Sequence, residues 1–233
     1  MDKLYYYTLC PFSRKVRFVL NYLNLPFLMI EEKFWERREN FLRINPSGTV
    51  PVLVRKNESV IIGSTNIVDY IIARHQMESE TDLIPMISSH MSGEEEFRYT
   101  SIKNLCVWFD EKFATEVVKP LLYEKIVNFF RDRSIPDPNY LSAARYNLGI
   151  HVEYLEHLLS QHEYLCGEKF TLADLVASCH ISVVDYLGEI VWSKMPYTRN
   201  WYSIIKSKPY FKEFLKERIG GFPPPKHYNE FDF

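Results

Sequence analysis

The stretch Leu4-Tyr-Tyr-Tyr-Thr-Leu-Cys10-Pro-Phe-Ser13-Arg-Lys-Val-Arg17 reads as a strand, a thiol and the start of a helix. A cysteine at the mouth of a helix meets unpaired backbone N–H groups and the positive end of the helix dipole, both of which favour a thiolate. Further along, Asn45-Pro-Ser-Gly-Thr-Val50-Pro51-Val-Leu53 sets a proline between a helix-ending turn and an apolar strand. A proline fits there by opening the strand, and a cis Val50–Pro51 bond is one way to do so.

Outward from these two runs, the apolar period predicts a strand over 4–8, a helix over 12–25 with Val16, Leu20 and Leu23 on one face, and a strand over 27–30. A short charged helix over 35–44 follows, ended by Asn45-Pro46 and Gly48. Two apolar strands over 51–55 and 60–62 flank the hairpin signal Lys56-Asn57-Glu58. A helix over 64–75, with Ile67, Tyr70, Ile71 and His75 inward, closes the unit. The order β, α, β, α, β, β, α, with a thiol before the first helix and a proline opening the third strand, describes a thioredoxin-like domain over residues 1–77.

Residues 78–93 lose the apolar period and read as a linker. From 94 to 219 the period is helical. Helices are expected over 94–113 and 117–130, the second accommodating Pro120 in its first turn. After the Pro- and Asp-rich break 131–139 comes a helix over 141–160, with Leu148, Val152, Leu155 and Leu159 as its seam. The box Thr171-Leu-Ala-Asp174 then opens a helix running to about Gly188, with Asp174 in a capping rather than a catalytic role. The expected fold class is α/β plus all-α: a thioredoxin-like domain followed by a helical bundle. Residues 220–233 form a tail, in which a Pro-rich spacer precedes His227-Tyr-Asn-Glu-Phe-Asp-Phe233, acidic residues interleaved with aromatics.

A composition of 46% hydrophobic and 25% charged residues is that of a soluble globular protein. The net charge of -2 lacks the basic excess that phosphate neutralisation requires, so no nucleic acid is expected. No apolar run is long enough to span a bilayer, so no membrane insertion is expected. The chain opens on a strand rather than a leader, and Cys10, Cys106, Cys166 and Cys179 form no C-x-x-C pair. Both features point to a reducing cytoplasm. Glycine-rich phosphate loops, G-x-S-x-G and H-E-x-x-H are missing. His151, His157 and His162 do not share a helix face, so no metal is expected. The basic residues Arg14, Lys15 and Arg17, like Arg37 and Arg38, read first as solvated faces.

With Cys10-Pro-Phe-Ser13, Asn45-Pro-Ser-Gly-Thr-Val50-Pro51, Ser64-Thr-Asn-Ile67-Val-Asp-Tyr70 and Phe170-Thr-Leu-Ala-Asp174 in order, residues 1 to about 215 resemble the glutathione S-transferase superfamily. The resemblance implies a glutathione-binding thioredoxin-like domain, a helical domain that lines the co-substrate site, and a homodimer. It places Cys10 at the activating position, where the sulfur would stabilise the glutathione thiolate or form a mixed disulfide with it, with Ser13 as a second donor. Val50, before Pro51, would offer its backbone to the cysteinyl part of glutathione, and Ser64 would hold the γ-glutamyl carboxylate at a helix N-terminus. The family usually has Glu-Ser at the last site. Gly63-Ser64 here removes a charge-assisted contact worth about 1.5 to 3 kcal/mol.

The tail, together with Trp35-Glu-Arg-Arg38, resembles an alphaproteobacterial branch of the superfamily in which the fold binds FtsZ and serves cell division. That resemblance assigns Trp35, Arg37, Arg38, Tyr228, Phe231, Asp232 and Phe233 to a partner surface. The alternative for the tail is to pack its rings on its own domain. Two functions stand open. The first is an FtsZ-binding protein that works through its tail, and the second is a glutathione-dependent transferase or thiol transferase built on Cys10.

Overall fold

Strand β1 (Asp2–Tyr6) is an inner strand of a four-stranded sheet of order β2-β1-β3-β4. It runs parallel to β2 (Phe27–Glu31) and antiparallel to β3 (Val52–Val54), which pairs with β4 (Val60–Ile62). Leu4, opposite both Met29 and Leu53, is fully buried because an inner strand is covered on its packed face. The computed structural model describes residues 1–77, 82–86 and 88–231, and the chain divides into two compact units, Met1–Glu80 and Thr81–Phe233.

In the first unit, helix α1 (Pro11–Tyr22) packs against α3 (Ser64–Gln76), Val16 and Val19 of one and Ile67 and Val68 of the other being buried. The first helix stops short of the expected Leu25. Asn24 takes a left-handed φ of 52°, and Leu25 N–H donates back to the Leu20 carbonyl at 2.9 Å, a six-residue closure that ends the helix. The expected helix over 35–44 is divided. A 3-10 turn (Phe34–Glu36) ends at Arg37, whose φ is 48°, and α2 (Glu39–Ile44) starts afresh after it. Arg14, Lys15 and Arg17 are not a solvated face; all three are buried. Arg14 Nε donates to the Thr8 carbonyl at 3.0 Å, Lys15 Nζ donates to Thr65 Oγ1 at 3.2 Å, and the Arg17 guanidinium lies over the Tyr6 ring.

The second unit opens within the segment read as linker, where Leu83 and Ile84 are buried and the Leu83 carbonyl accepts from Leu172 N–H at 2.8 Å. Ser92 caps α4 (Gly93–Val107), its hydroxyl accepting from Glu95 N–H and the Glu95 carboxylate accepting from Ser92 N–H. Instead of two helices there is one helical run over 93–132. It passes through π-helical turns (Trp108–Val118), α5 (Lys119–Leu122), further π-helical turns (Tyr123–Val127) and α6 (Asn128–Asp132). Pro120 therefore lies inside a continuous helical run and cannot donate to the Glu116 carbonyl four residues back. Asn147 Nδ2 donates to that carbonyl at 3.3 Å instead.

Helix α7 (Pro138–Leu159) buries the expected seam of Leu148, Val152, Leu155 and Leu159. Its His151 is structural, accepting at Nδ1 from Trp108 Nε1 and lying 2.9 Å from Glu116 through Nε2. Every residue of α8 (Leu172–Tyr186) is buried, as befits a helix at the centre of a bundle. Helices α9 (Pro196–Ser207) and α10 (Lys212–Lys216) follow. No helix among the described residues is long and apolar enough to cross a membrane.

Candidate functional site

Cys10 is the N-cap of α1, in extended conformation, with its carbonyl taking the first helical bond from Arg14 N–H at 2.9 Å. Its Sγ donates to the Val50 carbonyl at 3.8 Å, and the Val50–Pro51 bond is cis. The Pro51 carbonyl in turn accepts from Gly63 N–H at 3.2 Å, and Ser64 is the first residue of α3. A chain of contacts thus gathers Cys10, Val50, Pro51, Gly63 and Ser64, which lie far apart in sequence. Ser13 is buried, and its Oγ accepts from Tyr7 N–H at 3.2 Å, so it closes the strand-to-helix turn from inside.

The electrostatics of Cys10 differ from the expectation drawn from its place at a helix end. Burial pushes the thiol above its ordinary value. Hydrogen bonds from Ser13 and Phe12 and the charge of Arg14 pull in the other direction without overcoming it. Gly63 also gains a local explanation: its φ is +87°, a conformation that L side chains rarely adopt, while the space where a Cβ would stand is open apart from Asn66 at 3.9 Å. Glycine relieves backbone strain here as well as omitting a charge.

The second set of expected residues falls in two places. Trp35 is half-buried, and it stands edge-on to Tyr7 at 4.9 Å and to Phe34 at 5.1 Å. Arg37 is exposed and its Nη1 lies over Gly48. Arg38 is engaged: its guanidinium forms a two-pronged pair with the fully buried Glu32 carboxylate, Nε donating to Oε1 at 3.1 Å and Nη2 donating to Oε2. Glu32 went unread in the sequence because nothing in Glu31-Glu32 tells which carboxylate turns inward.

In the tail, the expectation that Tyr228 faces a partner is corrected. Its ring is fully buried against Tyr186, and its hydroxyl donates to the Phe214 carbonyl at 3.3 Å. Phe231 remains 45% exposed, with Lys212 Nζ 5.5 Å from its ring. Asp232 and Phe233 lie outside the described residues. Among the described residues no group of three His, Cys, Asp or Glu side chains is placed to hold a metal ion.

Comparison with known proteins assigns both units. The N-terminal domain of glutathione S-transferase matches residues 4–79 and the C-terminal domain of glutathione S-transferase matches residues 122–209. The chain belongs to the glutathione S-transferase family. It is 34% identical, over 99% of its length and 97% of the relative's, to FtsZ-localized protein A of Caulobacter vibrioides. The crystal structure of a glutathione S-transferase from Rhodospirillum rubrum superposes with a TM-score of 0.91 at 34% identity, covering all of both chains. FzlA from C. crescentus superposes with a TM-score of 0.88 at 34% identity, covering all of this chain and 99% of that one.

Proposed function

We propose that this glutathione S-transferase-family protein is a binding protein that engages FtsZ in bacterial cell division. The observation that carries the proposal is the 34% identity to FtsZ-localized protein A over 99% of the chain, which leaves no part of the tail unmatched beyond a residue or two. Phe231, exposed at the end of the tail, and the loop around Trp35, Arg37 and Arg38 supply the aromatic and arginine side chains that dominate protein interfaces. A cytoplasmic location follows from such a partner. A homodimer is part of the same proposal, supported by Tyr146, Ile150 and Tyr154, exposed by 73%, 51% and 37% at helical spacing along α7.

The test is co-sedimentation with FtsZ filaments. The full chain is expected to pellet with the filaments, and Phe231→Ala to lower the affinity at least about tenfold, as loss of an interface anchor does. A chain that stays in the supernatant at every FtsZ concentration would remove the proposal.

A second function, glutathione-dependent thiol transfer, is favoured by the convergence of Cys10 with Val50, Pro51, Gly63 and Ser64. The Val50 backbone and the N-terminus of α3 at Ser64 fit the peptide and carboxylate ends of glutathione, whereas the raised thiol of Cys10 does not fit a nucleophile at neutral pH. Because Gly63 offers no carboxylate to the γ-glutamyl ammonium, calorimetric titration with reduced glutathione is expected to give no resolvable binding. Gly63→Glu, placed at a φ of +87°, is expected to lose about 1 kcal/mol of stability in urea unfolding without restoring binding. Micromolar binding by the unmodified chain would move the assignment to the transferase.

A further inference from the structure

Beside the buried Tyr228 ring, the C-terminal tail is held to the helical unit at two points on one residue, His227. His227 Nε2 lies 2.9 Å from Asp185 Oδ1 at the end of α8, and the His227 carbonyl accepts from Lys206 Nζ of α9 at 3.1 Å. Asp185 and Lys206 are both fully buried. Asp185 Oδ1 also accepts from Trp192 Nε1 at 2.9 Å, while Oδ2 has no hydrogen-bond partner among the described residues. Burial holds Lys206 down at about 8, against the attraction of Asp185 and Glu230.

A hydrophobic socket alone would dock this tail, since the Tyr228 ring is fully buried beside His227. Buried charges add little net stability over an apolar contact, but they penalise every other register, because a slipped tail takes one hydrogen bond from a carboxylate and one from an ammonium that are both withdrawn from water. Pro225, whose ring would touch a Cβ at Gly188 at 3.3 Å, stiffens the approach to this point. We infer that Asp185, Lys206 and His227 are positioning residues, a clasp that fixes where Glu230 and Phe231 leave the helical unit and so orients the partner-binding end of the tail. The inference rests on the FtsZ-binding function proposed above.

Lys226, exposed in the 3-10 turn Lys226–Asn229, gives a direct readout. The full chain, His227→Ala and His227→Gln are treated with trypsin, and cleavage after Lys226 is followed by intact mass, each protein also being sedimented with FtsZ filaments. His227→Ala, which removes a hydrogen bond to a buried carboxylate without touching the helices, is expected to speed that cleavage at least about tenfold and to weaken FtsZ binding in parallel. His227→Gln, whose side-chain amide can still donate, is expected to recover most of both. Equal cleavage of all three proteins, or fast cleavage with undiminished FtsZ binding, would overturn the inference. If the unmodified chain does not sediment with FtsZ, the proposed function falls, and the cleavage series alone decides whether the clasp holds the tail.

Discussion

Replacing Asp174 by alanine is expected to lower the stability of the helical unit by about 3 to 5 kcal/mol, read as a fall in the urea midpoint at unchanged slope. The carboxylate is fully buried and accepts from Leu165 N–H at 2.8 Å, Thr171 N–H at 2.9 Å, the Thr171 hydroxyl at 2.9 Å and Trp201 Nε1 at 3.0 Å. It therefore joins the loop before α8, the first turn of α8 and a ring of α9. Alanine leaves all four donors without an acceptor in a site closed to water, which is costlier than losing the bonds themselves. Thr171→Ala, which removes one of the four, is expected to cost only about 1 to 2 kcal/mol. A loss below about 1 kcal/mol for Asp174→Ala would mean that the donors find other acceptors, and the box would then be an ordinary cap.

The pH dependence of this loss has a defined sign. Burial raises the Asp174 carboxyl above its ordinary value, against the four hydrogen bonds that lower it. A carboxyl raised in the folded state takes up its proton before the unfolded chain does, so acidification does not strip away its contribution. The deficit of Asp174→Ala is expected to grow, not shrink, when the unfolding series is repeated at about pH 5, because protonation of the raised carboxyl favours the folded unmodified chain. Acid sensitivity belongs instead to groups such as Glu189. Burial alone would raise Glu189, but hydrogen bonds from Arg145 and Lys125 carry it below its ordinary value. Its contribution is present above the ordinary carboxylate range and is lost as pH falls through the lowered one.

The N-terminal unit was legible because its signals are local. Short apolar runs mark the strands, the thiol and Pro51 sit at element boundaries, and each contact of Cys10 follows once the sheet is assembled. What sequence could not supply is the sign of competing terms at one site. A helix mouth favours the Cys10 thiolate, burial opposes it, and burial depends on the whole unit. Arg14 and Lys15 looked solvated for the same reason: the Thr8 carbonyl and the Thr65 hydroxyl that receive them are recognisable as partners only after folding. In the helical unit, Pro120 read as a helix start because a proline inside a helix leaves a carbonyl unmatched. The donor that answers it, Asn147, comes from α7. Local rules failed at places where a distant residue completed the hydrogen bonding.

Tyr228→Ala is expected to remove about 3 kcal/mol or more from the docked tail, the cost of truncating a fully buried aromatic ring. The thermal midpoint of the helical unit should fall by roughly 6 to 12 °C, since a chain of this size loses about 2 to 4 °C per kcal/mol. The ring packs edge-on to Tyr186 at 5.2 Å, and its hydroxyl donates to the Phe214 carbonyl at 3.3 Å. Tyr228→Phe keeps the ring and should lose only about 1 kcal/mol. Phe231, 45% exposed, is the contrasting case: Phe231→Ala should change stability by no more than about 0.5 kcal/mol. Both variants should weaken co-sedimentation with FtsZ, but for different reasons, Tyr228→Ala by releasing the tail and Phe231→Ala by removing the contact that the docked tail presents. Tyr228→Phe should bind as the unmodified chain does. If Tyr228→Ala kept its thermal midpoint, the tail would be resting on the surface rather than docked. If it lost the midpoint but kept FtsZ binding, the partner would be engaging some other part of the molecule, and the loop that carries Trp35 and Arg37 would be the next segment to vary.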